Sequence, residues 1–575
     1  MVRSRMRPLW RLLPLFLALV LVACGGAPQT GAPQTGAPPA APSPAAPEPT
    51  SAPAADAPTV APEPTSAAPA TEPLRVAIVG DEGTLTPYTY QTGYPGWNML
   101  NLVYDTLLIL DADNLPQPWL AERHTISDDG LIHTLTLRDD VTWHDGRPLT
   151  SADVKFSYEF YKANRQSRWT PPMGVITTIE APDATTVVMT LASPSPAFAL
   201  QPLADVPIIP QHIWEGATDP KAVESTVGSG PYQLAEYVPE QFYRFTANAS
   251  YFAGAPSVPE IITPMISEPN TIFAALRSGE IDATVRSLPP ELVSDFEGNA
   301  ELALQKGPGY ATNLLQFNTE RAPWDKAAVR QAISRAINRQ QLIDTILLGQ
   351  GTVGNPGWFH PASPVYQLTD APAFDLAAAQ AILDEAGYAD GDGDGVREAD
   401  GTPLSGELLV YANNPIRLRS AELIAAGLEP LGVRLKVTAI DPDSVDAKVW
   451  PEFDVAKGRD FDLAMWNWSA PVQINPLRAV GLVHSDPTIG TLNIGGFKNA
   501  EADRIGDAWR VTVDEAEQRA LAGELEALIA AELPFVTLFY EDGNYAFRPT
   551  AYDGWIYQKG QGTFSKLSFL SALRP

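Results

Sequence analysis

The chain contains one cysteine, Cys24, in 575 residues. Without a second thiol it has no disulfide, no thiolate metal cluster and no redox pair. Its six histidines are scattered without HxxxH spacing, and no G-x-S-x-G elbow occurs, so neither a zinc-protease helix nor a serine-hydrolase nucleophile is spelled out. Positive charge is also scarce, with 39 Lys+Arg against 68 Asp+Glu and a formal charge of −29. That balance excludes nucleic acid as a partner, because its binding needs a basic footprint. It also suits a soluble surface that does not adhere to anionic lipid. Gly349-Gln350-Gly351-Thr352-Val353-Gly354 spells GxGxxG, but a helix is expected before it where a dinucleotide site requires a strand. A long apolar run is missing too. The stretch from Leu12 to Val22 is interrupted by Pro14 and falls short of the roughly 20 residues a membrane helix needs.

What is present begins with that stretch. Arg3, Arg5, Arg7 and Arg11 precede it with no acid among them, and small residues close it, which describes an export signal over residues 1–23. Leu21-Val22-Ala23-Cys24 resembles the lipobox of bacterial lipoprotein signals, in which the cysteine is lipidated and becomes the mature N-terminus; the plainer alternative is a cleavable signal with an incidental cysteine. Two or more lipid chains anchor a protein stably. Residues 24–73 are then a tether rich in Ala and Pro, with GAPQT repeated and APEPTSA present twice. Such a composition cannot bury enough apolar surface to offset its ordering entropy, so it is read as a disordered, semi-rigid spacer.

About 500 residues remain, more than one hydrophobic core of 250–300 residues supports, so at least two lobes are expected. Strands are read at LRVAIVG from Leu74, at LIHTLTL, TTVVMTL and YQLAEYV, and later at GELLVYA, RLKVTAI, FDLAMWNW and PFVTLFY. Thr150 and Asp153 form a capping-box pattern ahead of an apolar helix. Val329, Ala332, Ile333, Ala336 and Ile337 lie on one helical face, with Asp325 as its expected cap. Leu376, Ala379, Ile382 and Leu383 define another, ended by Gly387. DEAEQRALAGELEALIAAE is a third helix. Strands alternating with helices give an α/β fold class.

Seven of these stretches, in this order from about residue 74 to 556, resemble the family 5 extracellular solute-binding proteins of dipeptide, oligopeptide and nickel importers. They include WLAERHTISDDGLIHTLTLRDDVTWHDGRPLTSADVKFSYE, VGSGPYQLAEY, LRSGEIDAT, FNTERAPWDKAAVRQAISRAINR and ELPFVTLFYEDGNYAFR. The resemblance implies a two-lobed periplasmic-binding-protein-like fold of class II, the large type with an extra subdomain in lobe 1. Lobe 1 is placed at 74–310 plus 540–575 and lobe 2 at 311–539, with crossings near LLQFNT and FYEDGN. It implies a monomer that captures a small organic solute, peptide-like in the first instance, by lobe closure. ABC permease subunits with cytoplasmic ATPases would receive the solute, and no cofactor is required. The alternatives are a non-peptide solute such as an oligosaccharide or metal chelate, a surface sensor or chaperone, and a secreted calcium-stabilised hydrolase for which no nucleophile and base are in evidence. The expected location is the outer face of the cytoplasmic membrane, through the lipid anchor.

Carried position by position, the family's cleft loops correspond to Gln91 and Tyr94, to Arg286 and Ser287, to Tyr310, Asn313, Gln316 and Asn318, and to Trp466 and Trp468. Peptide-binding relatives follow this tryptophan segment with an aspartate for the peptide's amino group, whereas this chain reads Trp468-Ser469-Ala470-Pro471. Burying an unpartnered ammonium costs several kcal/mol, which weakens a peptide assignment. Separately, Asp390, Asp392 and Asp394 with Gly395 match D-x-D-x-D-G, and Glu398 and Asp400 lie nearby, so a structural Ca²⁺ is expected there; the twelfth position is Gly401 where an EF-hand has glutamate.

Overall fold

The computed structural model describes residues 72–90, 95–368 and 373–573. The export signal, Cys24 and the tether as far as residue 71 lie outside the described residues, as do Gln91 and Tyr94.

Two large sheets organise the chain. The first has seven strands in the order 303–307, 543–547, 283–284, 74–77, 260–264, 242–247, 232–238. Leu74–Ala77 runs parallel to both neighbours, with Leu74 opposite Ile261 and Val76 opposite Ala283. Its apolar run is buried apart from Arg75, whose guanidinium meets Asp282 at 2.7 Å. A further four-stranded sheet, ordered 121–126, 132–137, 186–191, 176–180, is inserted between strands 74–77 and 232–238. The helix Ser151–Ala163 packs on it and opens with the expected capping box, in which the Thr150 N–H donates to Asp153 Oδ2 at 2.9 Å.

The second sheet has six strands in the order 351–353, 535–541, 312–317, 463–468, 405–411, 434–440. Thr312–Phe317 is central and buried throughout, antiparallel to Leu463–Trp468 and Phe535–Glu541. Side chains alternate across a strand, so each face has its own core. Leu314, Trp466 and Trp468 pack with Trp358 on one side; Leu315, Phe317, Leu463 and Met465 pack with Val329 and Ile333 on the other.

Three local expectations are revised. The apolar face from Val329 onward forms two helices, Ala327–Ala336 and Arg339–Ile346, because Asn338 accepts the Gln341 N–H at 3.0 Å and starts a new one. Lys326 rather than Asp325 occupies the cap of the first, and Asp325 instead pairs with the Lys326 ammonium at 2.9 Å. Thr312–Phe317, which includes the LLQF of the expected crossing, lies wholly in the second sheet, so the chain passes between sheets at residues 308–311 and returns at Asp542.

Candidate functional site

The two passages bring the sheets' loops face to face, and a cavity of about 540 Å³ lies between them. From the first sheet's side it is lined by Trp97, Asn98, Asn101, Arg168, Gln201 and Asp205, together with Gln558, Gln561 and Lys566 near the C-terminus; Ser469, Pro471, Asn475 and Arg478 line it from the second. A smaller cavity of about 260 Å³ adjoins it, sharing Leu200, Ile474 and Asn475 and adding Asp113, Tyr310, Gln473 and Glu515. The lobes also touch directly. Tyr310 Oη and Lys559 Nζ both donate to the Ala362 carbonyl, at 3.1 and 3.2 Å, while Lys559 holds Asp113 at 2.7 Å. At another point a Cβ on Gly130 would stand 2.5 Å from Val513 Cγ2.

Polar groups in the larger cavity are largely fixed by one another. Arg168 grips Asp205 through Nη2 at 2.7 Å and Nε at 3.0 Å, and its guanidinium lies 4.0 Å from the centroid of the Trp97 ring. Gln201 donates to the same carboxylate at 3.1 Å. At the floor, Lys566 donates to Asp105 at 2.6 Å and to the Tyr104 carbonyl at 3.1 Å. Asp105 is fully buried and also receives Trp119 Nε1, Ser229 Oγ and Tyr251 Oη. Burial pulls the Lys566 ammonium below the ordinary lysine range, and the Asp105 carboxylate works against that shift.

Of the residues carried over from the sequence, Tyr310 lines the smaller cavity. Gln91 and Tyr94 lie outside the described residues, and the remaining ones are not among the lining residues of either cavity. Asn313 donates to Glu541 at 2.7 Å, Gln316 to the Phe317 and Pro534 carbonyls, and Asn318 to the Phe461 carbonyl. Ser287 accepts the Asn544 N–H at 2.9 Å, and Arg286 is exposed. Trp466 and Trp468 belong to the core, edge to face at 6.0 Å. His144 is structural: its ring joins Gly228 N–H and the Gly230 carbonyl. The GxGxxG stretch carries the edge strand Gly351–Val353.

In the acidic turn, oxygens of Asp390, Asp392 and Glu398 come within 4.8 Å of one another. Asp394 turns away to Arg434 at 3.2 Å, and Asp400 sits in the tight turn of the Glu398–Ala399 and Thr402–Pro403 hairpin. Each clustered carboxylate already accepts a backbone N–H from its own loop.

A family model for bacterial extracellular solute-binding proteins, family 5, matches residues 116–480, a span that takes in strands of both sheets and about half of the cavity wall. The chain belongs to that family. Among similar proteins, a putative ABC transporter peptide-binding protein of Brucella ovis is 28% identical over 479 residues, covering 80% of this chain and 85% of its own length. The nickel-binding periplasmic protein of Escherichia coli is 27% identical over 486 residues, covering 82% and 91%. The crystal structure of NikA from Brucella suis in complex with Fe(III)-EDTA superposes with a TM-score of 0.75 at 24% identity, covering 88% of this chain and 99% of that one. The two sheets and the cavity between them are thus the two-lobed α/β architecture of this family.

The residues the sequence reading missed are Arg168, Asp205, Arg478, Gln558 and Gln561, contributed by segments far apart in the chain. Arg478 left one signal: it is the sole Lys, Arg, Asp or Glu between residues 463 and 485.

Proposed function

We propose that this solute-binding protein is the receptor of an ABC importer, capturing a small organic solute of the peptide or metal-chelate type between its lobes and passing it to permease subunits with cytoplasmic ATPases. The observation that carries the proposal is the cavity of about 540 Å³, walled from both lobes where only two short passages join them. Its size falls within the roughly 300–1,000 Å³ of small-molecule sites. A solute touching both walls favours the closed arrangement by its differential contacts, and closure is the signal a permease reads. The relatives' printed ligands, peptides and nickel, set the range of candidates, and the protein acts as a monomeric receptor without chemistry of its own. Lipidation of Cys24 would hold it at the outer face of the cytoplasmic membrane, with residues 24–73 as the tether.

Native mass spectrometry of the gently purified full chain tests the proposal, combined with small-angle scattering before and after the solute is stripped. The expected result is a bound solute, recovered unchanged, whose removal expands the protein. Conversion of the solute, or no compaction by short peptides, nickel–histidine or Fe(III)-EDTA, would overturn the reading. Cys24→Ala should move the protein from the membrane fraction to the soluble one.

A further inference from the structure

Among the described residues four ionisable side chains line the larger cavity, and three of them are neutralised within the protein. Arg168 and Asp205 form a bidentate pair, and Lys566 is held by Asp105 behind it. Arg478 is the fourth. It comes from the second lobe at the start of the short helix Arg478–Val483, and neither a hydrogen bond nor an ion pair joins its guanidinium to any described residue. Its side chain is exposed, and it lines this cavity. The protein around it removes hydrating water and Arg168 repels it, both of which oppose its charge, while Asp205 offsets them in part. A guanidinium remains charged regardless, so the cavity carries one uncompensated positive charge with five N–H donors.

The rest of the polar wall is neutral and includes the amides of Asn98, Asn101, Gln201, Asn475, Gln558 and Gln561; Asn101 donates to the Trp97 carbonyl, Gln201 to Asp205, and Gln558 and Gln561 to Asn114 Oδ1. Asp205, the single carboxylate among the described lining residues, already accepts from Arg168 Nε and Nη2 and from Gln201. An incoming ammonium would have to displace a guanidinium fixed in place over Trp97, and a dianion would bring a second negative charge with no partner.

We infer that Arg478 is the specificity-determining residue of this cavity and that the solute is an organic monocarboxylate without a free ammonium group, its neutral body hydrogen-bonded by the surrounding amides. The inference rests on the receptor reading above and narrows it.

The test titrates the full chain and its Arg478→Gln variant with sodium acetate, N-acetyl-alanyl-alanine, alanyl-alanine amide and inorganic phosphate, followed by tryptophan fluorescence and melting temperature. Both carboxylates should bind saturably, phosphate more weakly than acetate, and the cationic amide not at all. Arg478→Gln should weaken the carboxylates roughly tenfold to a hundredfold, the span of one charged hydrogen-bonding partner, and Arg478→Lys should recover part of the loss. The melting temperature of each protein alone separates binding from folding. Equal affinity in wild type and Arg478→Gln, absence of saturable carboxylate binding, preference for the amide, or phosphate binding tighter than acetate would each overturn the inference. A solute that compacts wild type and Arg478→Gln equally would leave the receptor reading standing and retire only this role.

Discussion

Gly309 lies so close to Glu541 that a Cβ built on it would stand 1.9 Å from the Glu541 carbonyl oxygen. The outgoing and returning passages between the lobes therefore touch backbone to backbone, and a side chain on Gly309 must push them apart. Overpacking a tight contact typically costs about 1–3 kcal/mol, and here the obstacle is main chain rather than a flexible side chain. Gly309→Ala should lower the urea midpoint accordingly and enlarge the radius of gyration. A variant with unchanged midpoint and dimensions would show that the passages yield freely.

Asp105 and Lys566 invite a paired experiment. Removing one partner of a buried ion pair leaves an uncompensated charge and costs about 3–5 kcal/mol. Asp105→Asn should approach that loss, because Trp119, Ser229, Tyr251 and Lys566 all depend on the carboxylate. Adding Lys566→Met to Asp105→Asn should recover a large part of it. If the double variant is no more stable than the single, the neutral donors rather than the charge dominate, and thermal unfolding distinguishes the two.

Two buried histidines set a pH dependence. His133 stacks on His124, with Nε2 of the one 2.9 Å from Nδ1 of the other, and its own Nε2 has no partner among the described residues. His360 lies between Tyr310 and Tyr540. Burial lowers both to about 4, repulsion from His124 adding at His133 and from Lys559 at His360. Unfolded histidine titrates near 6.5, so between there and about 4 the unfolded chain binds more protons. Their contribution is complete above pH 6.5 and is lost as pH falls, at most about 1.4 kcal/mol per pH unit for each. The buried Glu526 and the half-buried Glu541, both raised by desolvation, act in the opposite direction just above the ordinary carboxylate range. Urea midpoints should fall from pH 6.5 to 5, and His133→Phe should flatten that slope. An equally steep slope in the variant would exclude His133 as a source.

The acidic turn is tested by calorimetry. If the converging Asp390, Asp392 and Glu398 hold a calcium ion as the sequence leads one to expect, the EDTA-treated protein should take up one equivalent, and Asp390→Asn should abolish it. Absence of heat would leave a turn closed by its own backbone hydrogen bonds.

The scaffold was readable in the sequence where a pattern is local. Thr150 with Asp153, the buried runs at Leu463–Trp468 and Phe535–Glu541, and the helix Glu515–Glu532 all act within a few residues. The break at Asn338 was hidden because its apolar face continues on both sides and only a side-chain cap separates the two helices. The site was less legible. Cleft residues inferred from loop positions, such as Gln316 and Asn318, turned out to spend their amides on main-chain carbonyls, because a loop's location does not say which way its side chains turn. Arg168, Asp205 and Arg478 meet only after both lobes have folded, and no spacing along the chain encodes that meeting.

Leu200, Ile474 and Asn475 border both cavities, so these three residues stand where the chambers meet. Rotamers can change where main chain cannot, and the barrier is local. On the inference above, a solute with its acid group at Arg478 and a tail longer than the first chamber would reach the second by moving these side chains, without the lobes parting further. If the protein is the receptor proposed above, the length of cargo it tolerates depends on whether these side chains swing aside, while the charge of its head is set elsewhere.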